Sequence, residues 1–484
     1  MKRTLLATFI MLAVAVSLVA ESTQLPNLYH FRLPNGLELY VYRDPSLPLL
    51  RTQISFKAGA IAQRADNAGI FRVYERTVFG GDPGRPGSAP IRDAMADLGL
   101  GGVNGGTGAE GVSYWTTLPA TRLDACLGFW ALVAVNPQLD ASAFAQAVAD
   151  SGSEATAQDR SPSVVYESAM TRRLFAKYPW RRDPAGSPKT ISGLSLDDLA
   201  ALQRTWYVPD NAALFIGGDI DPEAALAAVE RHFGAWKAAD DPWKKPLPPH
   251  PRPGVMRPTW IALADPRMPQ GTAAVEMRYR GPDLGTDAAP SYAADLWSSL
   301  VAPSEGRFKK ALMKDVPGLL GPDSITTYYV SQRDGGWISI GALLRVDPAS
   351  STADRIRNFK ERVRGYEITS MKIDPNYFTA EDFEAARQRL LAIRNGRLGS
   401  VDGMISALSF WWSAASVDYF LGYADAVEKT GPKEVSAFLD TYIMRNLEIV
   451  ALRMNPDDFE QEQRGLEASG FETVGSGNVF WWQR

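Results

Sequence analysis

The second half of this chain repeats the first, and that repetition limits the available folds more than any other feature. Near the end of the first half, a stretch from Leu196 to Trp206 with apolar spacing near 3.6 leads into Tyr207-Val-Pro-Asp-Asn211, the apolar run Ala212 to Ile216, and Asp221-Pro222. Near the end of the second, Pro432 to Tyr442 leads into Ile-Met-Arg-Asn446, the run Leu447 to Leu452, and Asn455-Pro456. Tyr442 and Asn446 repeat Tyr207 and Asn211 at one constant offset. Both segments read as helix, polar turn, buried strand, turn. The starts agree as well. Strands expected at Leu37–Tyr42 and Gln53–Lys57 match Trp260–Ala264 and Ala273–Arg278, and Asp-Pro plus a second proline splits each pair. Residues 241–258 are too rich in proline for a helix or a central strand and read as a stiff, extended linker. The expected fold is a duplicated α+β unit, each half a sheet with helices on one side. Its segments are 1–20, 21–240, the 241–258 linker and 259–484. Further helices are expected over Pro90–Leu98, Thr121–Val135 and Ala143–Ala157 in the first half, and over Ala353–Ile368 and Ala380–Asn395 in the second.

Residues 1–20 read as a secretory signal. Lys2 and Arg3 precede an almost wholly apolar Leu5 to Val19, and the small Ala20 stands before Glu21. The segment is either cleaved or, because Leu18 suits a cleavage site poorly, kept as an anchor. No later stretch has the ~18 apolar residues of a membrane span. The expected location is outside the cytoplasm. A bacterial periplasm fits best, because a lone Cys126 excludes the disulfide frameworks of small secreted domains. A net charge of −4 without a dense basic run gives no footprint for nucleic acid. With 3 histidines in 484 residues, imidazole chemistry is hard to build anywhere.

The order of short motifs resembles the insulinase-like, or M16, zinc peptidases. The likeness runs through Leu33-Pro34-Asn35-Gly36-Leu37, Phe56-Lys57-Ala58-Gly59, Gly69-Ile70 and Val78-Phe79-Gly80-Gly81. It continues in Asn104-Gly105-Gly106-Thr107 through Tyr114, Leu118-Pro119-Ala120, and Tyr207 to Asn211 with Gly218-Asp219-Ile-Asp-Pro222. It covers nearly the whole chain after residue 20. It implies that family's duplicated metallohydrolase fold, in the short processing-peptidase-like branch that assembles as clamshell dimers. It also implies a peptide-sized chamber formed by the two halves.

The family's zinc helix carries His-x-x-Glu-His, two imidazoles on one helix face with a Glu that activates water. Here the window reads Arg72-Val73-Tyr74-Glu75-Arg76. A guanidinium keeps its proton and has no lone pair for a metal. Of the further carboxylate ligand only Glu154 remains, so no zinc or other cofactor is expected. The plain alternative is a helix-face charge cluster of Arg72, Glu75 and Arg76. The family's substrate clamp, an Arg and a Tyr in the second half, falls on Met313 and Gly321. What the resemblance leaves intact is peptide binding at Asn104, Gly105, Gly106 and Thr107, where a chain would add to an open sheet edge. The same Gly-rich run reads equally well as a flexible turn. Gly106, Gly108 and Gly111 spell a dinucleotide fingerprint, but Val112–Leu118 continues as a strand where a helix must open.

His30 reads as a packing residue, His232 as a helix-end residue, His250 as part of the linker and Cys126 as an inert buried thiol. Phe410-Trp411-Trp412 is too aromatic for one core face, so one Trp faces either ordinary packing or a chamber or partner. The expected function is a non-catalytic partner subunit that binds peptide or unfolded polypeptide and pairs with a zinc-motif chain or with its own copy. A stand-alone peptide-binding scaffold is the alternative. A third reading is a metallopeptidase using Glu75 and Glu154.

Overall fold

In a computed structural model the described residues are 25–80, 90–135, 137–347 and 349–483. The expected signal segment and Gly81 of the Phe79 motif lie outside them. Two sheets of six strands stand on either side of residues 241–258. The first contains β1 (Leu28–Arg32), β2 (Glu38–Arg43), β3 (Leu49–Phe56), β4 (Asn104–Thr107), β5 (Val112–Pro119) and β6 (Ala212–Gly218). The second contains β7 (Thr259–Ala264), β8 (Thr272–Arg280), β9 (Thr326–Val330), β10 (Trp337–Arg345), β11 (Ile449–Met454) and β12 (Glu472–Thr473).

The strand orders are β1-β2-β6-β3-β5-β4 and β12-β7-β11-β8-β10-β9. Five strands correspond one to one in order and direction. β2 runs parallel to β6 as β7 does to β11, and the remaining equivalent pairs are antiparallel. Only the outermost strand differs: β1 is antiparallel to β2, while β12 is parallel to β7. The duplication read from the Tyr-Asn repeat is therefore one of topology.

Each central strand is apolar at consecutive positions because both sheet faces are covered. On β6, Ala212, Leu214 and Ile216 face the first half's own helices, while Ala213 and Phe215 face the opposite way. That second face is covered by the Val401–Ala414 helix of the other half, through Met404, Ile405, Leu408 and Trp412. The second sheet is treated reciprocally. Ile449 and Ala451 on β11, with Ile261 and Leu263 on β7, pack on the Pro162–Leu174 helix of the first half.

The polar side chains on these inner faces are answered across the same seams. Gln53 donates to Ser409 at 2.6 Å, and Arg51 pairs with Asp402. In the other seam Tyr166 donates to Glu276 at 2.5 Å, and Arg278 pairs with Glu167 at 2.7 Å. The space expected to be a chamber between the halves is a seam in which each half lends a helix to the other's sheet, with a pocket of about 310 Å³ left beside Gln53 and Ser409. The expected linker is also packed down rather than free. It opens with a 3-10 turn over Pro242–Lys244, and His250 is buried with its ring 2.8 Å from Asp334.

The remaining helices follow the sequence closely. Leu196–Trp206 is a helix as expected, started by a capping box between Ser195 and Asp198. Thr352–Lys360 continues as a π-helix over Glu361–Ile368, and Pro432–Phe438 as one over Leu439–Met444.

Candidate functional site

The Ile70–Gly80 helix presents Ile70, Phe71, Val73, Tyr74, Thr77 and Val78 to the core. Arg72, Glu75 and Arg76 share the remaining face, as their spacing requires. Gly69 sets the entry: its φ is 95°, and a Cβ there would stand 2.7 Å from Ala185 O. The Ala141–Gln158 helix packs alongside and brings Glu154 opposite both arginines. Arg72 donates to Glu154 Oε1 at 2.6 Å, and Arg76 donates to Oε2. Gln158 adds a third donor to the same carboxylate at 2.9 Å. All three charged side chains are about 30% exposed: Arg72 30%, Arg76 31% and Glu154 30%.

The two positions where the resemblance puts imidazoles are therefore ion-paired to the residue where it puts the third ligand. A zinc ion does not fit this donor set. Both guanidiniums stay charged and lack lone pairs, and both Glu154 oxygens are engaged. Among the described residues no group of three or more His, Cys, Asp or Glu side chains is placed to hold a metal ion. Glu75 turns away from this bridge and accepts from Thr107 Oγ1 at 3.1 Å. Burial raises its pKa against the opposing hydrogen bond from Thr107 and the charges of Arg72 and Arg76.

Thr107 ends β4, the edge strand of the first sheet. Asn104–Thr107 is thus a strand beside the Arg72–Glu75–Arg76 face, and the turn follows it at 108–111. Asn104 and Gly105 are exposed, Gly106 and Thr107 half-buried. A side chain at Gly105 would meet Ser113 O at 2.5 Å and the Tyr114 ring at 2.6 Å, whereas one at Gly106 would meet nothing within 4 Å. Val112–Pro119 continues as β5, as the rejection of a dinucleotide turn required.

Glu110, quoted from sequence only inside the Asn104 motif, carries a structural task that its spacing did not announce. It is 6% exposed and accepts from the backbone N–H of Arg333 at 2.6 Å and of Asp334 at 3.0 Å, tying the β4–β5 turn to the second half.

Met313 and Gly321, the positions aligned with the clamp, offer neither a charge nor a ring. Met313 sits on the Arg307–Asp315 helix and packs on the second core; Gly321 opens a turn ahead of β9, where a Cβ would meet nothing within 4 Å. His30 lies in β1, stacked on Tyr40 at 4.3 Å and bonded to Glu38 at 3.1 Å. His232 meets Asp124 at 3.0 Å near the end of its helix. Cys126 is buried against Thr52, and burial pushes its thiol up to about 11. None of these belongs to the arginine site. Trp412 settles the aromatic question for one ring: it is buried in the seam and donates to Glu38 at 3.0 Å.

A family model described as "Peptidase M16 inactive domain" matches residues 193–390, across the proline-rich segment. The chain is 32% identical over 91 residues, 19% of its length and 21% of the relative's, to "Uncharacterized zinc protease YmfH" of Bacillus subtilis. It is 24% identical over 230 residues, 43% of its length and 24% of the relative's, to "Probable zinc protease PqqL" of Escherichia coli. The chain spans between about a fifth and half of the length of the curated relatives it matches first. Its fold is similar to the crystal structure of the first half of the periplasmic protease PqqL from Escherichia coli. There the TM-score is 0.71 at 14% sequence identity, over 94% of this chain and 97% of that one.

Proposed function

The chain belongs to the M16 (insulinase-like) peptidase family, and from that premise we propose that it is a non-catalytic member, the peptide-binding partner of a zinc peptidase carried on another chain. The observation that carries this reading is the double ion pair of Arg72 and Arg76 on Glu154. It places two fixed positive charges and a fully engaged carboxylate where an open three-ligand zinc site would need neutral imidazoles. Without zinc there is no group to lower the pKa of water, and Glu75 is committed to Thr107.

Peptide binding would use the β4 edge. An extended or unfolded polypeptide adds to such an edge by main-chain pairing, with Gly106 leaving room for its side chains. Because the inner sheet faces are filled by the exchanged helices, the chamber for that peptide would lie between this chain and a second one. The second chain would be a zinc-motif subunit, with a homodimer as the other possible assembly. Export to a periplasm accords with the apolar segment before residue 21. Among the described residues no helix is long and apolar enough to cross a membrane.

Co-purification from the native envelope tests the proposal. The expected result is a mixed complex with a chain bearing an intact His-x-x-Glu-His, whose peptidase activity falls to background when this chain is omitted. Unchanged activity without it overturns the reading. So does stoichiometric zinc in the pure protein together with peptide cleavage abolished by Glu75→Gln. The loss of a charged or aromatic clamp at Met313 and Gly321 favours a second reading, a stand-alone peptide-binding scaffold, which a purely monomeric, peptide-binding preparation would support.

A further inference from the structure

The second half holds a cavity at the place that corresponds to the arginine site of the first. In the first half the Ile70–Gly80 helix lies between β4 and the Ala141–Gln158 helix; in the second, Ala289–Val301 lies between β9 and Ala380–Leu398. Where the first arrangement holds the ion pairs of Arg72 and Arg76 on Glu154, the second opens into about 800 Å³. Asp295, on the Ala289–Val301 helix, is half-buried and lines this cavity. Tyr423 donates to its Oδ2 at 2.8 Å, and among the described residues its Oδ1 has no hydrogen-bond partner. Burial pushes the carboxyl up to about 7, opposed only by the Tyr423 hydroxyl, so no cation of the protein neutralises it.

Two arginines line the same cavity. Arg394 and Arg397 are three residues apart on the Ala380–Leu398 helix and share a face. Arg397 forms no ion pair among the described residues. Arg394 lies over the Phe420 ring at 4.8 Å and donates to the Phe420 O at 3.3 Å and the Asn395 side chain at 3.5 Å, with its Nε buried without a hydrogen-bond partner. The rest of the lining includes the aromatic and aliphatic side chains Trp411, Phe420, Tyr329 and Leu390. A carboxyl without an ion pair, guanidiniums without an anion, and apolar wall residues in one cavity describe a ligand of matching polarity.

We propose that this cavity binds a small zwitterion with a bulky apolar side chain, a free amino acid or dipeptide, its ammonium on Asp295 and its carboxylate on Arg394 and Arg397. The ammonium supplies the missing charge to Asp295, and the side chain covers the aromatic wall. The proposal does not rest on pairing with a second chain or on peptide binding at β4.

The test uses the full-length protein with phenylalanine and leucyl-phenylalanine as probes, read by calorimetry and thermal shift. At least one of the two is expected to bind saturably at millimolar concentration or tighter. Phenethylamine, which lacks the carboxylate, and N-acetyl-phenylalanine, which lacks the ammonium, should each bind at least tenfold more weakly. Asp295→Asn should abolish the preference for the free ammonium, and Arg397→Gln, at an exposed site, the preference for the carboxylate. The groups facing Asp295 are Tyr292, Tyr329, Tyr419 and Tyr423, all held protonated by burial, and Arg394. Affinity for the zwitterion should therefore rise with pH through about 7, as Asp295 ionises. Absence of saturable binding by both probes, or an unchanged Kd in a folded Asp295→Asn protein, overturns the proposal.

Discussion

The same place in two halves of one fold carries opposite electrostatic solutions. In the first half, a carboxylate brought in by one helix is answered by two arginines from its neighbour. In the second, the helix equivalent to the arginine-bearing one carries a carboxylate that forms no ion pair among the described residues, and the space stays open. Strand order and direction are shared, so topology does not decide between these outcomes. A few side chains on the helix face beside the sheet edge do. The fold is a holder for that spot, and each half has filled it differently.

The comparison can be broken most forcefully at the arginines. Arg72→His combined with Arg76→His places two imidazoles opposite Glu154, with Glu75 beside them. The double variant is expected to take up about one zinc per chain, measured by elemental analysis after dialysis. Failure to take up metal would mean that Glu154 does not occupy the ligand position.

Next in size is the exchange of helices. Trp412→Ala removes the ring that fills the first half's inner face and leaves Glu38 short of a donor, at a cost of about 3–5 kcal/mol. Because each half covers the other, calorimetry should still show one transition, shifted down as a whole. A separate early transition of one half would show that the exchange does not couple them.

The smallest effect sharpens the contrast through pH. Burial raises Glu38, but hydrogen bonds from His30, Tyr40 and Trp412 and the charge of Lys57 outweigh it and hold the carboxyl at about 2. Its contribution is complete above the ordinary value of 4.5 and is lost as pH falls toward about 2. Asp295 is shifted the other way. Its cost is absent below 3.8, grows as pH rises to about 7 and is constant above. Glu38→Gln should therefore flatten the acid limb of the stability curve. Asp295→Asn should stabilise at pH 8 by on the order of 2–3 kcal/mol and hardly at all near pH 4. Denaturant titrations across pH measure both slopes.

Much of this was legible in the sequence. The repeated Tyr-Asn spacing predicted two equivalent halves, because a helix, turn and buried strand leave a periodic trace. The position of Arg72 and Arg76 on one helix face followed from their spacing; the Asn104 strand came only with the resemblance, since its Gly-rich run reads equally well as a turn. The exchange of helices was not legible. A helix apolar enough for a core looks the same whether it covers its own sheet or another, and only the aromatic excess at Phe410–Trp412 hinted at a second destination. Asp295 was silent as well, since a single acid in an apolar helix has no spacing to betray it. His250 was discounted as linker because proline-rich composition reports stiffness but not burial against Asp334.

The lending of helices also fixes a timetable. The strands of the first sheet are all present once Gly218 has been made, yet one face of that sheet stays bare until Val401–Ala414 arrives. A ribosome or translocon delivering this chain from its N-terminus must therefore release a long intermediate with Tyr40, Ala213 and Phe215 still wet. During that interval the chain depends on a holding factor or on speed to avoid sticking to its neighbours.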